Sequence, residues 1–399
     1  MNIEKDFVMK NEDIIYFDNA ATTFKPISVI NKEMEYLTKY TANSHRGDYN
    51  ISFKVDDEID ESRYLVSKYI NSKSKDEIIF TSNTTDSMNL VINGFFGEYL
   101  REDDEVILTK SEHASNILPW LVLSKKIGFK IKYASLDKEG KLSLESIKKT
   151  ITRNTKAISI AHVTNVIGDI RDIKTITKYA HKKGILVLID GAQSVPHIKT
   201  DVQDLDIDFL AFSAHKMCGP TGLGILYGKY ELLKYMKPFK YGGGMNEIYN
   251  ENTIELDDIP YRFEAGTPNV SAIIAFSETI KYLNKIGIEN IERTEKYLKH
   301  YLIKELKTIP YIKIYNENSE GSIVLINIDG IESGDLGLYL NTKNICVRSG
   351  KHCVKMLEEE AEFKDTVRIS LYFYNSYEEI DKLILALKDF DNIKKYVNL

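Results

Sequence analysis

The sequence has little that would break the chain into pieces or staple it together. It holds 8 prolines in 399 residues. It has no low-complexity tract, internal repeat or flexible linker, which excludes a string of small modules on tethers. Its three cysteines, Cys218, Cys346 and Cys353, are odd in number and lack metal-type spacing. They read as free thiols in a reducing compartment, not as a disulfide framework or a metal site. No apolar run approaches the ~20 residues of a membrane helix. The polar start, Met1-Asn2-Ile3-Glu4-Lys5-Asp6, leads into no apolar signal segment, so a cytoplasmic location is expected. An excess of positive charge is lacking too. The 53 basic and 59 acidic residues leave a net charge of −6, which offers no bulk field for nucleic acid or an anionic membrane.

What is present is an ordinary globular composition, 43% hydrophobic and 28% charged. At ~100–200 residues per domain, the length suggests two or three domains. Short β-rich runs alternate with longer amphipathic stretches. Strand candidates are Ile78–Thr81, Glu105–Thr109, Ala157–Ala161, Ile185–Asp190, Phe209–Ser213 and Leu223–Tyr227, with helical stretches such as Asp172–Lys183 between them. This alternation predicts an α/β fold with a largely parallel sheet. After about Asn269 the pattern changes. Helices are expected over Ser271–Ile286, Ile288–Thr308, Gly334–Asn341 and Ser376–Lys388, and strands over Ser322–Ile328 and Val367–Leu371. That segment reads as a smaller α+β domain.

The chemistry gathers at the ends of the strand candidates, where open α/β sheets bind ligands. The run Ile185-Leu-Val-Leu-Ile ends in Asp190, followed by Gly-Ala-Gln193. Alone, Asp190 is as readily a turn or helix-capping residue. A second run, Phe209-Leu-Ala-Phe-Ser213, continues into Ala-His215-Lys216 and a glycine-rich turn. Burial lowers a lysine pKa and frees a neutral amine for covalent chemistry, although such a lysine can also reach solvent. The two residues lie 26 positions apart, and the pair suits a pyridine cofactor. The acid would stabilise a protonated ring nitrogen and the lysine would hold an aldehyde. Ser213 and His215 could donate to a phosphate. So could the N-terminus of a helix opening at Thr84-Thr85, where plain capping is the other reading.

His113 and Asn165 each follow a strand candidate. The first could stack on an aromatic cofactor and the second could bond its phenolic oxygen, or each could simply order its own loop. Cys346 sits in an apolar context and reads as core. Cys353 follows Gly350-Lys351-His352 in a loop, and basic neighbours favour the thiolate that a nucleophilic cysteine needs. Arg348 or Arg368 could grip a substrate carboxylate with two prongs.

These motifs occur in one order along nearly the whole chain. They run from Tyr16-Phe-Asp18-Asn19-Ala-Ala-Thr through Ser44-His45-Arg46-Gly47, Thr84-Thr85, Asp190-Gly-Ala-Gln193 and Ser213-Ala-His215-Lys216. They continue through Arg262-Phe-Glu-Ala-Gly-Thr267-Pro-Asn269 and Arg348-Ser-Gly-Lys-His352-Cys353. In this the chain resembles the class V aminotransferase family, and within it the group II, SUF-type cysteine desulfurases and selenocysteine lyases. The resemblance implies a pyridoxal 5'-phosphate enzyme of fold-type I, aspartate aminotransferase-like. It implies a large domain over 16–268 with a mostly parallel seven-stranded sheet. A smaller α+β domain, 1–15 and 269–399, would carry the Cys353 loop. It also implies a homodimer with its sites at the subunit interface.

By the same resemblance Lys216 holds the cofactor and Asp190 faces its ring nitrogen. His113 stacks, and Asn165 and Gln193 lie on the phenolic-oxygen side. Thr84, Thr85, Ser213 and His215 hold the phosphate, and Thr267 reaches in from the partner subunit. Arg368, with Arg348, Asn19 and His45, binds substrate, and Cys353 accepts sulfur. The implied reaction turns L-cysteine into L-alanine and leaves a Cys353 persulfide for a protein acceptor. Selenocysteine cleavage and cysteine sulfinate desulfination are the nearest alternatives. An aminotransferase or epimerase activity, or a non-catalytic role, stands further off. Two departures stand out: Lys351 replaces the first of two histidines before the cysteine, and Cys218 stands where an aromatic residue is expected.

Overall fold

The computed structural model describes residues 3–44, 47–361 and 363–397. Its larger sheet has seven strands. They are β1 (Ile78–Thr81), β2 (Glu105–Leu108), β3 (Lys130–Tyr133), β4 (Thr155–Ala161), β5 (Leu186–Asp190), β6 (Phe209–Ser213) and β7 (Gly224–Gly228). Their spatial order is β1-β7-β6-β5-β4-β2-β3. The run from β6 to β3 is parallel, and β7 is antiparallel to both neighbours. The sheet is therefore mostly parallel, as expected. β3 went unread because Lys130-Ile-Lys-Tyr133 carries lysines at alternate positions, a pattern that guards a sheet edge.

The central strands read as unbroken apolar runs because both of their faces are covered. Val187 and Ile189 of β5 point into one core, and Leu186 and Leu188 into the other. In β6, Leu210 and Phe212 split from Phe209 and Ala211 in the same way. The first core is roofed by α1 (Ile27–Lys39), α2 (Asn50–Tyr69) and a long helix at Val270–Ile286. The second core is covered in part by α3 (Thr84–Val91), through Met88, Leu90 and Val91. Strand alternation carries Asp190 and Ser213 to the α3 side, as the next residues after Leu188 and Ala211 on that face.

The smaller sheet is β8 (Ile312–Ile314), β9 (Ile323–Ile328), β10 (Arg348–Gly350) and β11 (Thr366–Ser370), in the antiparallel order β8-β9-β11-β10. Its own core includes Leu298, Leu302, Val324, Ile369 and Leu383. The helix Val270–Ile286 shares its apolar face with the large-sheet core, through Ile273, Phe276, Ile280 and Leu283. So does Phe7, whose ring meets those of Tyr374 and Tyr282. Among the described residues no helix is long and apolar enough to cross a membrane.

Candidate functional site

Parallel strands send their C-terminal ends to one edge, so the loops after β2, β4, β5 and β6 emerge together. Those loops carry His113, Asn165 and Lys216, and β5 itself ends at Asp190. The smaller sheet closes the opposite side with Arg348, Cys353 and Arg368. Between them is a cavity of about 500 Å³, within the range of cofactor sites. Thr84, Thr85, Gln193, Ser213 and His215 also line it. Most of the site residues expected from the sequence therefore share one space.

Lys216 lies in the first turn after β6. Among the described residues its amine makes no hydrogen bond. Burial pushes the amine down to about 8, against the pull of the Asp190 carboxylate. Asp190 is buried, and its Oδ1 accepts from the Ala192 N–H at 3.0 Å. Burial raises its carboxyl above the ordinary range, with Lys216 opposing. A buried acid that has lost water favours a cation beside it.

At the other end, α3 opens with Asn83 as its cap. Ser213 accepts from the Thr84 N–H at 2.7 Å, and the Ser213 and Thr84 hydroxyls are hydrogen-bonded to each other at 2.5 Å. The Thr85 hydroxyl meets Ser115 at 2.7 Å. Hydroxyls and a helix N-terminus clustered in this way suit a dianion such as a phosphate. The His215 ring beside them is held down to about 4, by burial first and then by Lys216.

His113 Nδ1 accepts from the Ser115 N–H at 3.1 Å, which assigns the neutral ring's proton to Nε2. Burial, then Lys216, lowers this ring to about 4. The turn carrying His113 hangs on a buried network. Arg171 bonds Glu112, the Ser111 hydroxyl at 2.7 Å and the Ala161 carbonyl at 3.1 Å. Glu112 Oε2 accepts from the Ala161 N–H at 2.7 Å and from Asn116 at 2.9 Å. The sequence reading did not single out Glu112 or Arg171, because nothing local distinguishes a buried ion pair from a surface one.

Other expected residues have specific partners. The Gln193 amide donates to the Ala20 carbonyl at 2.7 Å. The Asn165 amide donates to the His352 carbonyl at 2.9 Å. Arg368 is buried and donates to the Asn165 carbonyl at 2.8 Å and to Asp18 at 3.0 Å. Arg348 also grips Asp18, through Nε and Nη2, each at 3.1 Å. Asn19 is not at the cavity wall. It is fully buried, donates to the Ser370 carbonyl at 2.8 Å and to Asn375 at 3.1 Å, and accepts from the Tyr374 hydroxyl. It holds the Asp18 turn against the smaller sheet instead of facing a ligand. Thr267 is exposed beside a second pocket of about 160 Å³, lined in part by Phe239 and Lys240. His45 lies outside the described residues.

Cys353 is exposed at the cavity. It and His352 have φ values of 61° and 52°, a left-handed pair that L-residues disfavour. The Cys353 carbonyl accepts from the Ala114 N–H at 3.0 Å. His352 is buried, with Nε2 at 2.9 Å from the Thr366 hydroxyl. Lys351, the departure from the expected histidine, is exposed and pairs with Glu358 at 2.7 Å. Cys218, the other departure, is buried at φ 65°, with its N–H on the Thr23 hydroxyl at 2.7 Å. A thiol fits there beside Tyr372.

The profile of the family described as Aminotransferase class-V matches residues 15–383. The chain belongs to that family. A probable cysteine desulfurase of Borreliella burgdorferi is 41% identical, over 97% of this chain and 95% of the relative. A cysteine desulfurase of Haloferax volcanii is 37% identical over 94% of this chain and 88% of the relative. Among solved structures, the apo cysteine desulfurase of Thermococcus onnurineus superposes with a TM-score of 0.94 at 35% identity, covering 99% of this chain and 98% of that one. An Escherichia coli cysteine desulfurase, solved as an S-sulfonic acid, gives 0.91 at 29% identity, covering 98% and 97%. The chain thus spans 88–98% of the length of these relatives. The cavity also suits pyridoxal phosphate chemically: a free buried amine, a buried acid and a phosphate cradle surround one space.

Proposed function

We propose that this protein is a pyridoxal-phosphate-dependent cysteine desulfurase. It transfers sulfur from L-cysteine to Cys353 and releases L-alanine. The observation that carries this reading is that the exposed Cys353 thiol shares one cavity with the free amine of Lys216 and the buried acid Asp190.

Lys216 would hold the cofactor aldehyde, Asp190 its ring nitrogen, and the α3 terminus with Ser213 and His215 its phosphate. His113 would lie against the ring with Gln193 on the phenolic side. When bound, the cofactor supplies an electron sink for the bonds at the substrate's α-carbon. The protein's residues do the rest. Arg368 binds the substrate carboxylate and so turns the thiol side chain toward Cys353. Lys216 Nζ, once free, takes the Cα proton. The Cys353 thiolate attacks the substrate sulfur. The new S–S bond forms as the C–S bond breaks, the pair left on Cβ takes a proton to become the methyl C–H, and Lys216 Nζ returns a proton to Cα to complete L-alanine. A thiol from an acceptor protein then takes the outer sulfur and regenerates Cys353.

A homodimer accords with the exposed apolar side chains of Phe239, Tyr241, Tyr249 and Ile254, because Phe239 shares its pocket with Thr267. In that arrangement the partner subunit's Thr267 would reach the phosphate. Free thiols accord with a cytoplasmic setting.

The test is turnover of L-cysteine by the cofactor-loaded protein with a dithiol reductant. The expected result is equal alanine and sulfide from the wild type and neither from Cys353→Ala. Turnover indifferent to that substitution would move the assignment to selenocysteine or cysteine sulfinate as substrate.

A further inference from the structure

We infer that Asn165 is a positioning residue for the nucleophile: its side-chain amide latches the His352–Cys353 turn over the cavity, and its backbone carbonyl ties that latch to Arg368. The inference rests on the cysteine desulfurase reading and deepens it.

The turn needs a latch. His352 and Cys353 are consecutive residues with positive φ, and neither is glycine. L-side chains leave that region unless bonds hold the backbone there. Two of the bonds that do so reach out of the turn from separate loops of the large sheet. The Ala114 N–H holds the Cys353 carbonyl at 3.0 Å. The Asn165 amide holds the His352 carbonyl at 2.9 Å. Within the turn, the Val354 N–H closes on the Lys351 carbonyl at 3.0 Å. Of these bonds, only Asn165's comes from a side chain.

Asn165 has a second tie. Its carbonyl accepts from Arg368 Nη1 at 2.8 Å, and Arg368 is the buried guanidinium facing the cavity. One residue therefore joins the cation that would bind the substrate carboxylate to the carbonyl next to the attacking thiol. A carboxylate settling on Arg368 fixes the guanidinium, the Asn165 backbone and, through the amide, the Cys353 turn. The family resemblance implies that this amide faces the cofactor's phenolic oxygen; in the structure one of its two N–H donors goes to the His352 carbonyl, which leaves the other for that role. The nearly buried setting of Asn165 keeps water from replacing that bond.

The test uses the cofactor-loaded enzyme with Asn165→Asp, which keeps the shape but removes the donor, and Asn165→Ala. Amide hydrogen exchange is followed over residues 350–354. In parallel, the ratio of L-cysteine to L-cysteine sulfinate turnover is measured, because sulfinate cleavage does not use the Cys353 thiol. The inference expects exchange in the turn to rise about tenfold, the scale of one lost hydrogen bond. It expects the turnover ratio to fall by about the same factor. Exchange unchanged in both variants overturns the latch. A parallel fall for both substrates also overturns it, since it would make Asn165 a cofactor contact alone. If wild-type turnover of cysteine survives Cys353→Ala, the desulfurase reading fails. The exchange comparison still decides the latch.

Discussion

Arg348 and Arg368 sit directly opposite each other on β10 and β11, and the carboxylate of Asp18 bonds both. Like charges paired across strands repel. Asp18 offsets one of them and leaves the pair with a net charge of about +1 at the cavity wall, the sign that the proposed substrate carboxylate needs. Asp18→Asn is expected to lower stability by about 2 kcal/mol, less than for a fully buried pair because Arg348 reaches solvent. Removing one guanidinium as well, in Asp18→Asn with Arg348→Met, is expected to restore part of that loss. Urea unfolding of the single and double variants checks it. A double variant less stable than the single one sinks the repulsion argument.

The two arginines are not equivalent. Arg348 spends Nε and Nη2 on Asp18. Arg368 gives one contact to Asp18 and one to Asn165, while among the described residues its buried Nε has no partner. Each arginine spends two of its donors in this way, so what separates them is burial: Arg368 is shielded from water at the cavity wall, whereas Arg348 reaches solvent, and the proposed carboxylate contact falls to Arg368. Arg368→Gln is expected to raise KM for L-cysteine more than tenfold, roughly one charged hydrogen bond, and Arg348→Gln to raise it less. Cysteamine, which lacks the carboxylate, serves as the control ligand in an inhibition assay. Equal losses for cysteine and cysteamine would assign Arg368 to the fold instead.

Much of this was legible in the sequence because apolar runs ending in Asp190 and Ser213 carry their own direction. Strand periodicity locates their ends, and strand ends locate ligands. β3 was not legible, since an edge strand bearing lysines does not alternate cleanly into a core. Asp18 was visible only as part of a motif. That it bridges residues 330 and 350 positions away depends on the tertiary pairing of β10 with β11. Glu112 and Arg171 were missed for the same reason, since burial turns ordinary charges into a scaffold and burial is a property of the fold. Asn19 shows the reverse case, a motif residue whose polar atoms are consumed by packing.

That scaffold makes a strong expectation. Both Arg171 and Glu112 are buried, and Arg171 bonds Glu112, Ser111, Thr109 and the Ala161 carbonyl, while Glu112 itself bonds Thr109 and the Ala161 N–H. Arg171→Met leaves a buried carboxylate without its cation, which typically costs about 3–5 kcal/mol. Pairing it with Glu112→Gln is expected to recover a large part. Thermal unfolding measures the stability. The far-reaching sign is cofactor affinity, which should fall in the single variant as the His113 turn loosens. Unchanged affinity would separate the network from the site.

The three thiols should react in a fixed order. Cys353 is exposed, Cys346 is half-buried, and Cys218 is buried with its thiol pushed up to about 12 by burial. Access and thiolate fraction govern alkylation. Iodoacetamide at pH 8 should therefore modify Cys353 first, Cys346 more slowly, and Cys218 only after unfolding. Peptide mass spectrometry of a time course reads the order directly. Early labelling of Cys218 would mean that its pocket opens in the native state.

Lys216 gives the clearest dependence on pH. Its amine is held down to about 8 from an ordinary value of 10.5, so the folded apoprotein gives up that proton before the unfolded chain does. Between those values the unfolded state binds more protons, and stability rises with pH across that window. Below about 8 the fold bears the full cost of a buried ammonium. Lys216→Met should therefore stabilise the apoprotein at pH 7, on the order of 2 kcal/mol, with the advantage shrinking from pH 8 to pH 10.5. The same shift sets reactivity, because only the neutral amine attacks an aldehyde. Covalent capture of pyridoxal phosphate should accelerate up to about pH 8 and then level. His113 and His215, both held near 4, are neutral throughout and add no second limb. Stopped-flow absorbance of the apoprotein mixed with cofactor measures the profile. A rate still climbing toward pH 10 would mean that the amine is solvated and the site looser than its burial implies.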